Sequence, residues 1–254
     1  MTTEDNLKIT SSGLAVVGEL IKMAGESPNG KEAANNIGKT AVTVTKAINN
    51  ILLPIAAVNF AFDKARTYYS EKFKGDLEEK IKLIPENDLV EPKASIAGPV
   101  LQGLAFSHEE DSLRNMYLNL LASAMTITGQ EIAHPAFAEI IKQLNGVEAG
   151  ILRDVLRSHQ LPIAQLQASL DINQARGYHV VSNHLINLTN SDTGEAEVNS
   201  RFPAMIQNWI RLGLIEVSYE KRLATLENYS WISTRPEFIV EKEACDKNGT
   251  FLNC

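Results

Sequence analysis

Ser200-Arg-Phe-Pro-Ala-Met-Ile-Gln-Asn-Trp-Ile-Arg-Leu-Gly-Leu-Ile-Glu-Val-Ser-Tyr219 is the stretch whose reading decides the fold. Phe202, Met205, Ile206, Trp209 and Ile210 recur at steps of three and four, the period of a helix with one buried face. Gly213 then stands where a helix C-cap glycine belongs. Leu214 to Tyr219 alternates as a strand would, and Tyr229-Ser-Trp-Ile-Ser233 repeats that alternation. The two together predict a hairpin. Working back towards the N-terminus, Leu161 to Leu170 alternates as a short strand. Val147 to Arg157 reads as a helix with Ile151, Leu152, Val155 and Leu156 inward. Helices followed by a two-stranded ribbon make residues 148–254 winged-helix-like.

Further upstream the pattern is helical. His134-Pro135 opens a helix, with proline near its first position; Phe137, Ile140, Ile141 and Leu144 form its buried face, and Asn145-Gly146 ends it. Ser112 to Met125 is a second helix with Leu113, Met116, Tyr117, Leu120, Leu121 and Ala124 apolar. Ser107 is its expected N-cap, with Glu109, Glu110 and Asp111 in a first turn that favours anions. Val100 to Phe106 begins another helix. Pro85 to Pro99, with three prolines, reads as an irregular connector.

Residues 1–93 are an N-terminal helical region. Leu14, Val17, Leu20, Ile21 and Ala24 share helical spacing, Glu26 to Gly30 is a loop, and Asp63 to Ile84 is a charged amphipathic helix. Between them Ile37, Ala41, Val44, Ile48, Ile51, Ile55, Val58 and Phe62 form an a/d stripe, with Pro54 expected to kink it. Its other face carries Asn49, Asn50 and Asn59, polar without charge. Ala47 to Phe62 holds no charged residue. As a helix it would span roughly 24 Å, short of the about 30 Å of a bilayer core. Two readings stay open: a hairpin buried in a bundle, or an oligomer- or membrane-contacting helix using Val44, Ile48, Asn49, Ile51, Pro54, Ile55, Val58, Asn59 and Phe62.

The expected architecture is therefore mainly α with a small β component: 1–93 helical, 94–147 a central helical region, 148–254 winged-helix-like. Basic and acidic residues number 12 and 13, 2 and 5, and 10 and 13 in these three zones, and the chain carries a net charge of −7. No zone is basic, which disfavours nucleic acid as a partner. The DNA-reading alternative would rest on Arg201, Arg211, Lys221 and Arg222, too few cations for strong phosphate binding. Cys245 and Cys254 are the only cysteines; two thiols suit a reducing compartment, and the acidic start Met-Thr-Thr-Glu-Asp-Asn has no basic n-region. The expected location is cytoplasmic, with or without membrane association.

At Ile84-Pro-Glu-Asn-Asp-Leu-Val-Glu-Pro-Lys-Ala-Ser-Ile-Ala-Gly-Pro99, Leu113-Arg-Asn-Met-Tyr-Leu-Asn-Leu-Leu-Ala-Ser-Ala-Met125 and His134-Pro-Ala-Phe-Ala-Glu-Ile-Ile-Lys-Gln-Leu144 the chain resembles the bacterial abortive-infection alpha family. The resemblance implies phage defence, in which infected cells stop growing or die, and partners that are phage or host proteins or a second copy of the chain. It implies no reaction.

The residues themselves point to no catalyst, cofactor or metal. His134 and Glu139 lie five apart, as do His179 and His184, so neither pair shares a helix face. His134 reads as a helix cap, and His179 and His184 as surface or packing residues. Glu109, Glu110 and Asp111 diverge around a helix start. Gly38-Lys39-Thr40 matches only the end of a phosphate loop, with Ala33 where its first glycine belongs. Ser123 and Ser182 lie in no nucleophile elbow.

Overall fold

The computed structural model describes residues 59–189 and 197–254. The expected helix Leu14–Ala24, the loop 26–30, the Gly38-Lys39-Thr40 segment and the a/d stripe from Ile37 to Val58 lie outside the described residues. The chain divides into two compact units, Met1–Leu152 and Arg153–Cys254.

In the first unit α1 (Asn59–Glu71) and α2 (Phe73–Ile81) replace the single helix expected over 63–84. The interruption is slight: Lys72 has φ −115°, yet its N–H still reaches the Tyr68 carbonyl. Tyr69, Phe73 and Leu77 are buried as their spacing predicts. The central element is α3 (Ala94–Ser107). It begins inside the stretch read as a connector and contains Pro99. Pro99 is the sixth residue of α3, so its missing N–H removes only one intrahelical bond. Ile96, Ala97, Val100, Leu101, Leu104 and Ala105 are all buried, because α3 packs against α1, against α4 (Asp111–Ala124) and, beyond the short α5 (Gly129–Ile132) in the chain, against α6 (Pro135–Ile141).

Two approaches are very close. A Cβ on Gly103 would lie 2.5 Å from the Tyr117 hydroxyl and closer still to the ring, so glycine lets α3 press flat on α4. The connector before α3 is stitched to the turn after α4: the Val90 N–H donates to the Met125 carbonyl at 2.8 Å and the Ile127 N–H to the Asp88 carbonyl at 3.1 Å, while the Gln130 amide reaches the Glu91 carbonyl.

Helix starts differ from expectation in two places. Ser107 ends α3 rather than capping α4; Glu110 holds the N-cap position. Asn145-Gly146 does not end α6 but opens α7 (Gly146–Arg157). The Asn145 Oδ1 accepts from the Glu148 N–H at 2.9 Å and the Glu148 carboxylate reaches back to the Asn145 N–H, a capping box. Glu110 also accepts from the Gly146 N–H at 2.7 Å. His134 caps α6 as expected, its Nδ1 accepting from the Ala136 N–H at 3.1 Å.

The second unit holds a three-stranded antiparallel sheet of order β2-β1-β3, with β1 at Ile163–Ser169, β2 at Tyr178–Ile186 and β3 at Phe251–Asn253. β1 is the strand its alternation predicted. The expected hairpin over 214–233 does not form. Residues 214–219 are irregular, and 229–233 fall within a 3-10 helix, Leu226–Thr234. Side chains explain the latter. The Ser230, Ser233 and Thr234 hydroxyls and the Trp231 indole N–H each donate to the carbonyl three residues back, bonds that favour a tight helical turn over a ladder. The observed order is thus α7, β1, β2, α8 (Phe202–Arg211), the 3-10 helix, α9 (Pro236–Asn248) and β3, not helices followed by a wing. Ala164, Leu166, Leu185 and Ile232 form the core under the sheet, with Tyr229, Trp231, Phe238 and Leu252 against it.

The glycine expected to cap α8 does so. The Leu214 N–H donates to the Trp209 carbonyl at 2.9 Å and the Gly213 N–H to the Ile210 carbonyl at 3.0 Å, with Gly213 at φ +71°. This pair of bonds is a Schellman motif.

Candidate ligand cleft in the C-terminal unit

The reversal at Gly213 turns residues 214–223 back along α8, and a cleft of about 550 Å³ opens between them, the end of α7 and the first residues of β1. That volume lies in the usual range for small-molecule sites, about 300–1,000 Å³. Val155, Ile186, Ile206 and Trp209 form its buried floor. Leu156, expected to face inward, is instead 51% exposed and lines the cleft; it lies next to Val155, which takes the buried position on that face of α7. The mouth is polar: Ser158, His159 and Gln160 stand on one side, Glu216, Lys221 and Arg222 on the other. Lys221 pairs with Glu216 at 3.7 Å in full solvent, a contact of little energetic weight. The Trp209 side chain is fully buried, and its Nε1–H has no hydrogen-bond partner. A buried orphan donor costs about 1–3 kcal/mol.

Beside the cleft sits a polar network built around His184. β2 carries extra residues relative to β1, with register shifts between Ala164 and Leu166 and between Leu166 and Gln167. His184 lies in the first shift at φ +56°, the left-handed conformation found in many bulges. The bulge buries the ring to 5% exposure. The Gln207 amide lies 2.6 Å from Nε2 and the Tyr219 hydroxyl 2.8 Å from Nδ1, while the His184 backbone N–H donates to the same hydroxyl at 3.1 Å. With Gln207 donating to Nε2, the ring proton sits on Nδ1 and is given to Tyr219. Burial holds the imidazole below its usual range. Burial also raises the Tyr219 phenol, partly offset by the His184 N–H. The His184 ring is thus a neutral tie between β2, α8 and the 214–223 segment.

The four DNA-reading candidates scatter. Arg201 precedes α8 and Arg211 ends it, the latter bonded to Asn208 at 2.6 Å; Lys221 and Arg222 stand at the cleft mouth. Of the membrane- or oligomer-helix candidates, Val44, Ile48, Asn49, Ile51, Pro54, Ile55 and Val58 lie outside the described residues. The backbone of Asn59 and Phe62 is in α1. Among the described residues no helix is long and apolar enough to cross a membrane, and no group of three or more His, Cys, Asp or Glu side chains is gathered as a metal site would require. His179 is exposed on β2 and Ser123 on α4, apart from the cleft.

The family model for abortive infection alpha matches residues 65–251. The chain belongs to the abortive infection alpha family. The match spans both units, from α1 to β3, so the cleft and the His184 network lie inside the family region. The three segments that carried the resemblance map onto the stitched connector with the start of α3, onto α4, and onto α6. They are contiguous in the first unit, where the connector pairs with the turn after α4 and the Tyr117 hydroxyl of α4 donates to the Ala138 carbonyl of α6. No curated protein and no solved structure matches.

Proposed function

We propose that this protein is a cytoplasmic effector of abortive-infection-type phage defence that works without catalysis, through contacts of its helices with a phage or host protein, a second copy of the chain or a membrane surface. In this reading the segment 37–62 acts, and the C-terminal unit responds to infection by binding a molecule in its cleft. Family membership supplies the process. The observation that carries the sensing role is the cleft itself, with an apolar floor of Val155, Ile186, Ile206 and Trp209 and a mouth of mixed charge. That construction suits binding.

The test is plating of a phage panel on cells that make the full chain. Protection should disappear when Ile51 and Ile55 are both changed to Lys, which puts charge on the a/d stripe. It should also disappear in Ile215→Trp, which fills the cleft. Circular dichroism on both variants checks that they remain folded. Protection that survives the double lysine change removes the acting role of the segment 37–62. Protection that survives Ile215→Trp removes the sensing role of the cleft. Leakage of liposomes by the full chain separates the membrane form from the protein-contact form.

A further inference from the structure

Side chains alternate between the two faces of a strand. Ala164, Leu166 and Ala168 of β1 are buried, and the first two lie in the core cluster. Gln165, Gln167 and Ser169 therefore share the opposite face. Directly paired residues of an antiparallel ladder point to the same side. The register pairs Ser169 with both Tyr178 and Phe251, so these two aromatic residues flank Ser169 on that outer face. Tyr178 is 53% exposed and Phe251 46%. Two strand spacings separate them, about 10 Å.

Beside Val180, which pairs with Gln167 and is 41% exposed, this face carries a row of amides. The Gln174 amide donates to Gln167 Oε1 at 3.1 Å, the Gln167 amide to Gln165 Oε1 at 2.8 Å, and the Gln165 amide to Asn183 Oδ1 at 2.5 Å. Each relay orients the next amide and leaves it a second N–H and a second lone pair for a ligand. The same face of β1 runs on to Ile163, which lines the cleft. None of these side chains carries a charge.

We infer that this outer sheet face is a binding site for a neutral oligosaccharide. A sugar hydroxyl both donates and accepts, as a carboxamide does, so a row of pre-oriented amides matches a row of hydroxyls. The apolar C–H face of a sugar ring lies flat on an aromatic ring, and two half-exposed rings two strand spacings apart can each take one unit of the same chain. A nucleic acid would use the same rings for its bases, but its phosphates require Lys or Arg along the track, and the face supplies none. The inference stands apart from the defence role and from the cleft.

The full chain is applied to an array of neutral oligosaccharides that includes α-glucans, β-glucans and chitin fragments, and the strongest binder is titrated by calorimetry. Saturable binding that is insensitive to salt is expected. Tyr178→Ala and Phe251→Ala should each weaken it about three- to tenfold, the size of a lost stacking contact. Gln167→Glu, which keeps the size and places a charge in the amide row, should weaken it as well. Each aromatic is about half buried, so urea unfolding of each variant checks that it is fully folded under the titration conditions. No binding anywhere on the array overturns the proposal, as does binding that all three variants retain. Salt-sensitive binding of oligothymidylate in place of sugars overturns it in favour of a nucleic-acid surface.

Discussion

Replacing Gly103 by alanine puts a methyl group where the Tyr117 ring already lies. The new Cβ would be 2.5 Å from Oη and nearer still to Cζ and Cε1, whereas carbon atoms rest at about 3.5–4.0 Å. Tyr117 has nowhere to go. It is 1% exposed, its hydroxyl is bonded towards α6, and burial pushes its phenol up to about 12. Relief must come from separating α3 and α4, the principal helix pair of the first unit. Overpacking of this kind costs about 1–3 kcal/mol. Against it stands the gain of alanine over glycine within a helix, about 0.8–1 kcal/mol. Contacts this short put the cost at the upper end of that range, so the net expectation is a loss of about 2 kcal/mol in urea unfolding. Gly75 in α2 is the control, because a Cβ there meets nothing within 4 Å; Gly75→Ala should leave stability unchanged or raise it by up to about 0.5–1 kcal/mol. A Gly103→Ala, Tyr117→Leu double mutant should be more stable than the sum of its single changes implies, since the ring is the obstacle. If Gly103→Ala proves as stable as the wild type, the close approach of α3 and α4 described above is wrong.

Three further outcomes are expected. Gly213→Ala should cost about 1 kcal/mol, because only the left-handed φ of +71° opposes it and that penalty is roughly 1–2 kcal/mol before unfolded-state entropy offsets part of it; a much larger loss in thermal unfolding would point to a steric cause instead. Arg235→Met should cost about 2–3 kcal/mol in denaturant unfolding, less than the full value of a buried pair because Glu237 is partly in water. The guanidinium is 2% exposed, forms a fork with Glu237 at 2.7 and 3.0 Å and donates to the Glu197 carbonyl at 2.9 Å. The third outcome concerns pH. The folded-state pKa of His184 is depressed by burial, so the unfolded chain takes up its proton first on acidification. This contribution is intact above the unfolded value of about 6.5, shrinks as pH falls from there towards the folded value, and is flat below it. Urea midpoints measured from pH 7.5 downward should therefore drop less in His184→Gln than in the wild type, and an equal drop would refute the assignment.

The helices whose apolar period met clear boundaries, α4, α6 and α7, were legible in the sequence, and so was β1, whose alternation is regular. β2 was not, because its surplus residues break the period of two that marks a strand. The same irregularity hid the polar network beside the cleft: His184 has no sequence signature, since its burial depends on a bulge and on Gln207 and Tyr219 arriving from elsewhere. The 229–233 segment misled in the opposite direction. Its tyrosine, tryptophan and isoleucine alternate with serine like a strand, but those hydroxyls close local turns. α9 left no amphipathic trace, having only Cys245 buried. Pro99 suggested a boundary that α3 overrides at the loss of a single bond. Val155, Ile206 and Trp209 of the cleft floor were visible as inward positions of α7 and α8, although nothing local announced that 214–223 would fold back over them.

Arg235 also has a consequence for the order of events during folding. Its guanidinium reaches carbonyls 47 and 38 residues earlier in the chain, at Leu188 and Glu197. Those groups meet only after the β1–β2 ladder and the start of α9 both exist, whereas the ladder itself joins neighbouring segments. Contacts with long sequence separation carry the larger closure cost and tend to form late. Losing this side chain should therefore leave the refolding rate nearly unchanged and appear almost wholly as faster unfolding. Arg235 would then govern how long the C-terminal unit stays folded rather than how quickly it gets there.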